Sequence, residues 1–240
     1  MDAPWQAQTL TALERILDDG VQEVAAYGSF ADGTTDAWSD LDVKITVDGG
    51  RLARWWTGAD WPSALGPVYS DTRWGDEERF VRRLILRDMR RIDAVFVAAD
   101  GTSPGRPSAA GGDDPAVLLL HRLRSDAVSA AVKTARGDIL IGAHRALAVV
   151  QYALEAGMLL RDRERGTDRH RFGGSRWDAR AAELAAVPLP HSAATVTAAV
   201  RAALPPAAAL LAELGAGPAD FGDDTPLLAL LTRVDAYTPN

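Results

Sequence analysis

The sequence predicts an α+β domain built on a mixed β-sheet, followed by an all-α domain. Three observations predict it. Up to about residue 100 the chain alternates between helix-like and strand-like apolar patterns. Residues 100–115, DGTSPGRPSAAGGDDP, are rich in Gly, Pro, Ser and Asp and carry no periodicity, which marks a linker. After them the apolar spacing is helical to the end. The predicted division is a first domain at 1–100, a linker at 101–115 and a helical domain at 116–240.

Each element has a local reason. Residues 4–19 read as a helix, with Leu10, Leu13, Ile16 and Leu17 at helical spacing and Gly20 as a stop. Val21–Tyr27 is a short apolar strand that runs into Gly28-Ser29, and a helical turn is expected after Ser29. Leu41–Val47 alternates and reads as the next strand, ended by Asp48-Gly49-Gly50. Residues 51–61 read as one short helix carrying Trp55 and Trp56. Residues 67–72, 79–86 and 91–97 read as three more strands, with Gly75 in the turn between the first two. In the second domain, helices are expected near 116–135, 138–163, 176–187, 191–214 and 224–236; the apolar run 117–120 also suits a strand. Between its charged ends the 138–163 helix is apolar almost all round, which predicts burial.

Bulk properties exclude several classes. The net charge of −7 argues against a general nucleic-acid binder, which needs clustered Lys and Arg, and suits a small cationic acceptor. There is no cysteine, hence no disulfide or thiolate metal site. No run of eighteen apolar residues predicts a membrane span, and MDAPWQAQTL lacks the basic segment of a signal peptide. A cytoplasmic protein is expected.

The most informative stretch is YGSFADGTTDAWSDLDVKI, residues 27–45. Gly28 has no side chain, so backbone there can approach phosphate oxygens closely. The Ser29 hydroxyl and the N–H groups of a following helical turn can donate to those oxygens. Asp40 and Asp42 are two apart at the start of a strand, so both carboxylates point to one face. Hard oxygen ligands of this kind suit Mg²⁺, which takes carboxylates plus substrate phosphates. Lys44 shares the face of Asp42 and is a phosphate-contact candidate. Its bland reading is a lysine at the sheet margin.

Tyr27-Gly28-Ser29-Phe30, Gly33, Asp36 and Ser39-Asp40 resemble the nucleotidyltransferase superfamily that includes polymerase β and the antibiotic nucleotidyltransferases. The likeness is greatest to the lincosamide enzymes, then to the aminoglycoside enzymes. It is weaker around 91–97 and 167–184, where Thr167-Asp168-Arg169-His170 only partly matches. The resemblance implies the nucleotidyltransferase fold and, as co-substrate, a nucleoside triphosphate, ATP, with Mg²⁺. It also implies an acceptor site between the two domains or at a homodimer interface.

A third carboxylate is expected near the pair, to hold metal or to take the proton of the attacking hydroxyl. Asp93 is the candidate, because every other residue after Arg91 in Arg91-Ile92-Asp93-Ala94-Val95-Phe96-Val97 is apolar. The resembling lincosamide enzymes carry a glutamate there. The bland reading is an acid paired with Arg83 or Arg91. On the 138–163 helix, His144, Gln151 and Glu155 share a face and are acceptor-binding candidates; an internally paired polar network is the alternative. The expected activity is transfer of AMP from ATP to a hydroxyl of a lincosamide or aminoglycoside. Its rivals are a nucleotidyltransferase toxin acting on a protein or tRNA, and a non-catalytic nucleotide-binding module.

Overall fold

The computed structural model describes residues 4–17, 19–75, 79–101, 114–167 and 174–237. Most of the expected linker, together with Asp168, Arg169 and His170, lies outside the described residues. The chain divides into two units, Met1–Gly112 and Asp113–Asn240.

The first unit runs α1 (Trp5–Ile16), β1 (Val21–Tyr27), α2 (Gly28–Ala31), β2 (Leu41–Val47), a 3₁₀ turn at Gly49–Arg51, α3 (Leu52–Thr57), α4 (Asp60–Leu65), β3 (Val68–Gly75), β4 (Phe80–Leu86) and β5 (Arg91–Ala98). The strands form one mixed sheet in the order β1-β2-β5-β4-β3. β2 and β5 are parallel; the other neighbours are antiparallel. A parallel pair needs a crossover, and here it is the whole segment from the 3₁₀ turn through β4.

The two faces of the sheet differ because β2 alternates strictly. Leu41, Val43, Ile45 and Val47 are fully buried, and they join Leu13, Leu52, Trp56 and Trp61 in one apolar core. Asp42, Lys44 and Thr46 point to the opposite face. One face thus packs the apolar core with the helices; the other carries Asp42, Lys44 and Thr46 on β2, and Asp93 with the buried Ile85 and Val95 on its neighbours.

Three expectations are corrected in this unit. Residues 51–61 are not one helix: the chain breaks at Gly58, whose backbone is extended. A Cβ there would lie 2.5 Å from the Arg54 carbonyl oxygen, and Arg82 draws in the Gly58 carbonyl from a distant strand. β3 extends past residue 72, because its pairing with β4 continues to Gly75 opposite Phe80. Gly75 therefore ends a strand and is not part of the turn.

The second unit is helical: α5 (Pro115–Ala135), α6 (Ile139–Arg165), a 3₁₀ helix at Arg176–Leu184, α7 (Ala193–Leu214), α8 (Pro218–Phe221) and α9 (Thr225–Asp235). The run 117–120 is helix. The segment from 176 is a 3₁₀ helix, which the sequence did not distinguish from an α-helix because repeats of three and of 3.6 cannot be separated over so few residues. The short α8 was not expected. α7 is long and apolar enough to cross a membrane by length and composition, which the count of consecutive apolar residues missed. Half of that stretch is buried, with Val196, Val200, Leu204 and Leu211 in the interior of the unit.

The expected all-round burial of the helix now labelled α6 is also corrected. It buries one stripe of mostly small residues, Gly142, Ala146, Val149, Ala153, Ala156 and Leu160. These let α5 come close: a Cβ on Gly142 would sit 2.5 Å from Thr134 Oγ1. Leu140, Leu147 and Leu154 are exposed on another face.

Candidate active site

The site begins with the turn after β1. Gly28 has φ +67°, a conformation that L-residues avoid. A Cβ on it would lie 2.8 Å from Asp42 Oδ2. Backbone at the Gly-Ser turn is therefore packed directly against a carboxylate of the neighbouring strand. Gly28→Ala should cost about 1–2 kcal/mol in backbone strain and push the Asp42 carboxylate aside. Turnover is expected to fall at least ~10-fold, since small displacements of a reacting constellation are costly. Denaturant melts and kcat check this; wild-type turnover would contradict it.

The spacer between Ser29 and Asp40 is fixed by its own side chains. Asp36 Oδ1 accepts from the Trp38 N–H at 2.8 Å and from the Ser39 hydroxyl at 2.9 Å. Ser39 Oγ accepts in turn from the Asp36 N–H at 2.9 Å. Arg91 Nη2 donates to the Trp38 carbonyl at 2.5 Å. Trp38 and Ser39 are buried, which leaves Asp40 at the mouth of β2. Asp36 thus shapes the loop, a role that fits a residue whose short carboxylate bonds nearby backbone.

Sheet register brings the next residues together. Tyr27 lies opposite Asp42, Asp42 beside Asp93, and Asp93 opposite Arg83. Directly opposed residues share a face, so these four form one row on the face opposite the apolar core. Asp93 is 9% exposed, and Arg83 grips both of its oxygens: Nε donates to Oδ1 at 2.7 Å and Nη2 to Oδ2 at 2.5 Å. Of the two arginines considered as partners, it is Arg83. Arg91 is engaged with the Trp38 carbonyl instead.

The electrostatics follow from this row. Burial, then the charges of Asp40 and Asp93, push the Asp42 carboxyl up to about 6, against a smaller downward pull from Arg83. Burial and the Asp42 charge likewise raise the Tyr27 phenol, which keeps its proton and can donate. Among the described residues, no three acidic or histidine side chains converge tightly enough to hold a metal alone. Asp40 and Asp42 still fit Mg²⁺, because it needs few protein ligands and takes the rest from phosphates and water. They are clustered carboxylates short of positive charge.

Lys44 lies one row further along the same face and pairs with Glu23 at 3.4 Å, both side chains being about half exposed. It also lines an open cavity of about 530 Å³, with Ala25, Tyr27, Arg79, Val95 and Val97. Arg79 bonds the Tyr27 hydroxyl. The cavity therefore has an apolar floor and cationic walls beside the carboxylates.

The acceptor candidates on α6 are placed differently. His144 and Gln151 are exposed and share a strip with Leu147 and Leu154, while Glu155 is half-buried. They do not form a polar stripe on a buried helix. A cavity of about 260 Å³ in the same unit is lined by Gly157, Met158, Trp177 and Leu184 among others, and by none of the three.

Sequence reasoning gave Arg83 no role of its own and passed over Arg79 and Trp74. A signal for Arg83 was present. Adjacent arginines inside an apolar strand, Arg82-Arg83, point to opposite faces, and each needs its own partner.

Residues 7–94 match the model of the nucleotidyltransferase domain family, and this stretch contains Gly28, Ser29, Asp40, Asp42, Arg83 and Asp93. No curated protein matches the chain significantly. Among solved structures the chain is similar to an aminoglycoside 6-adenyltransferase from Bacillus subtilis, at 11% identity over 98% of this chain and 99% of that one, with a TM-score of 0.34.

Proposed function

We propose that this protein transfers AMP from ATP to a hydroxyl of a small, cationic, antibiotic-like acceptor, of lincosamide or aminoglycoside type. The observation that carries this reading is the Gly28 turn packed against Asp42, with Asp40 before it and Asp93 in register beside it. The match of this segment to the nucleotidyltransferase domain supports the reaction class. The acidic net charge supports a cationic acceptor over a nucleic acid.

Asp40 and Asp42 would hold Mg²⁺, which when bound neutralises charge on the triphosphate. Gly28 lets the chain approach the phosphates, and the Ser29 hydroxyl donates to a phosphate oxygen. The acceptor oxygen attacks the α-phosphorus, the bond from that phosphorus to the bridging oxygen breaks, and pyrophosphate leaves. Asp93 takes the hydroxyl proton. Arg83 uses one lone pair on each Asp93 oxygen, and a carboxylate has about four acceptor sites in all.

The direct test is to incubate the protein with Mg-ATP and a panel of antibiotics and weigh the products. A gain of one AMP on an antibiotic is the expected result. Labelling of a protein or tRNA instead would favour a toxin-like activity, and binding of ATP without any transfer would leave a binding module. Ser29→Ala should weaken ATP binding by about 1.5–3 kcal/mol, the worth of one hydrogen bond to a charged group. Calorimetry showing unchanged affinity would reduce Ser29 to a turn residue.

A further inference from the structure

Arg83 is held in place from two sides. Its guanidinium forks onto both oxygens of Asp93, at 2.7 and 2.5 Å, and lies 5.3 Å from the ring centroid of Trp74. It reaches the site from β4, in the row that also contains Asp93 and Asp42. A rigid fork matched to a planar carboxylate is the strong form of ion pairing. We propose that Arg83 stands in for a second metal ion, so that the site takes a single divalent cation, on Asp40 and Asp42.

The inference rests on the nucleotidyl-transfer reading and names what that site binds. A second divalent cation on Asp93 would have to settle against a guanidinium already seated on both oxygens. Arg83 then acts as a positioning residue. It orients Asp93 toward the acceptor hydroxyl and keeps it from becoming a ligand.

Metal counting tests this without turnover. The protein is saturated with α,β-methylene-ATP and Mn²⁺, and bound Mn²⁺ is counted per bound nucleotide and examined by electron paramagnetic resonance. The wild type should hold one Mn²⁺, with no spin-coupled pair. Arg83→Gln frees Asp93 and should bind a second Mn²⁺, giving a coupled signal. Two ions in the wild type, or one in Arg83→Gln as in the wild type, overturns the inference. If Arg83→Gln does not fold, the wild-type count still decides it, two ions being fatal. Failure of the wild type to bind nucleotide and Mn²⁺ at all would instead sink the nucleotidyl-transfer reading.

Discussion

Asp42→Asn should lose on the order of a thousand-fold or more in turnover while keeping its fold. The loss is expected because charge stabilisation through a metal-bound carboxylate is a large share of the barrier in phosphoryl transfer. The fold should survive because the amide fills the same space against Gly28. Stability should even rise at neutral pH. The Asp42 carboxyl is raised to about 6 from an ordinary 3.8, so the folded protein disfavours its charge. Between those values the folded state binds more protons than the unfolded one, and stability falls as pH rises. The penalty is complete above pH 6 and absent below 3.8. Metal-free Asp42→Asn should therefore melt higher than the wild type at pH 7.5, with the gap closing as pH falls through that window. Near-normal turnover would remove Asp42 from the metal site. A lower melting point at pH 7.5 would contradict the electrostatic account.

The largest expected effect on stability belongs to Arg82→Ala, at about 3–5 kcal/mol, the usual cost of breaking a buried pair. Arg82 is 2% exposed and lies on the helix-covered face of the sheet. Its Nε and Nη2 donate to the two oxygens of Asp71 at 2.9 and 2.6 Å. Its Nη1 donates to the carbonyls of Trp56 and Gly58, and its guanidinium lies 5.0 Å from the Trp61 ring centroid. Truncation takes the donors away from a mostly buried carboxylate and from two carbonyls, where water reaches little. Against a typical total of about 5–15 kcal/mol, this is enough to unfold much of the protein. Arg82→Lys should fare little better, since a point charge cannot reproduce the fork. By contrast Arg54→Ala, which breaks an exposed pair with Asp19, should cost no more than about 1 kcal/mol. Urea denaturation of the three variants checks the ranking. A loss under about 1 kcal/mol in Arg82→Ala would show that the pair is not a structural anchor.

The sequence by itself determined the class of fold and the core of the candidate site. Strand Leu41–Val47 was legible because its alternation is local, and so was the separation of Asp42 from the buried Leu41 and Val43. The Gly-Ser turn was legible because only glycine suits that backbone. Tertiary structure decided the partners. That Asp93 faces Asp42 on one side and Arg83 on the other depends on the pairing of β5 with β2 and β4, which no local pattern encodes. The break at Gly58 depends on a guanidinium that arrives from β4. The exposure of Leu140, Leu147 and Leu154 on α6 depends on which stripe its neighbours cover, and the small residues of the opposite stripe won because they let α5 approach. Periodicity and turn chemistry act within a few residues. Burial and ion pairing act between residues that only the folded chain brings together.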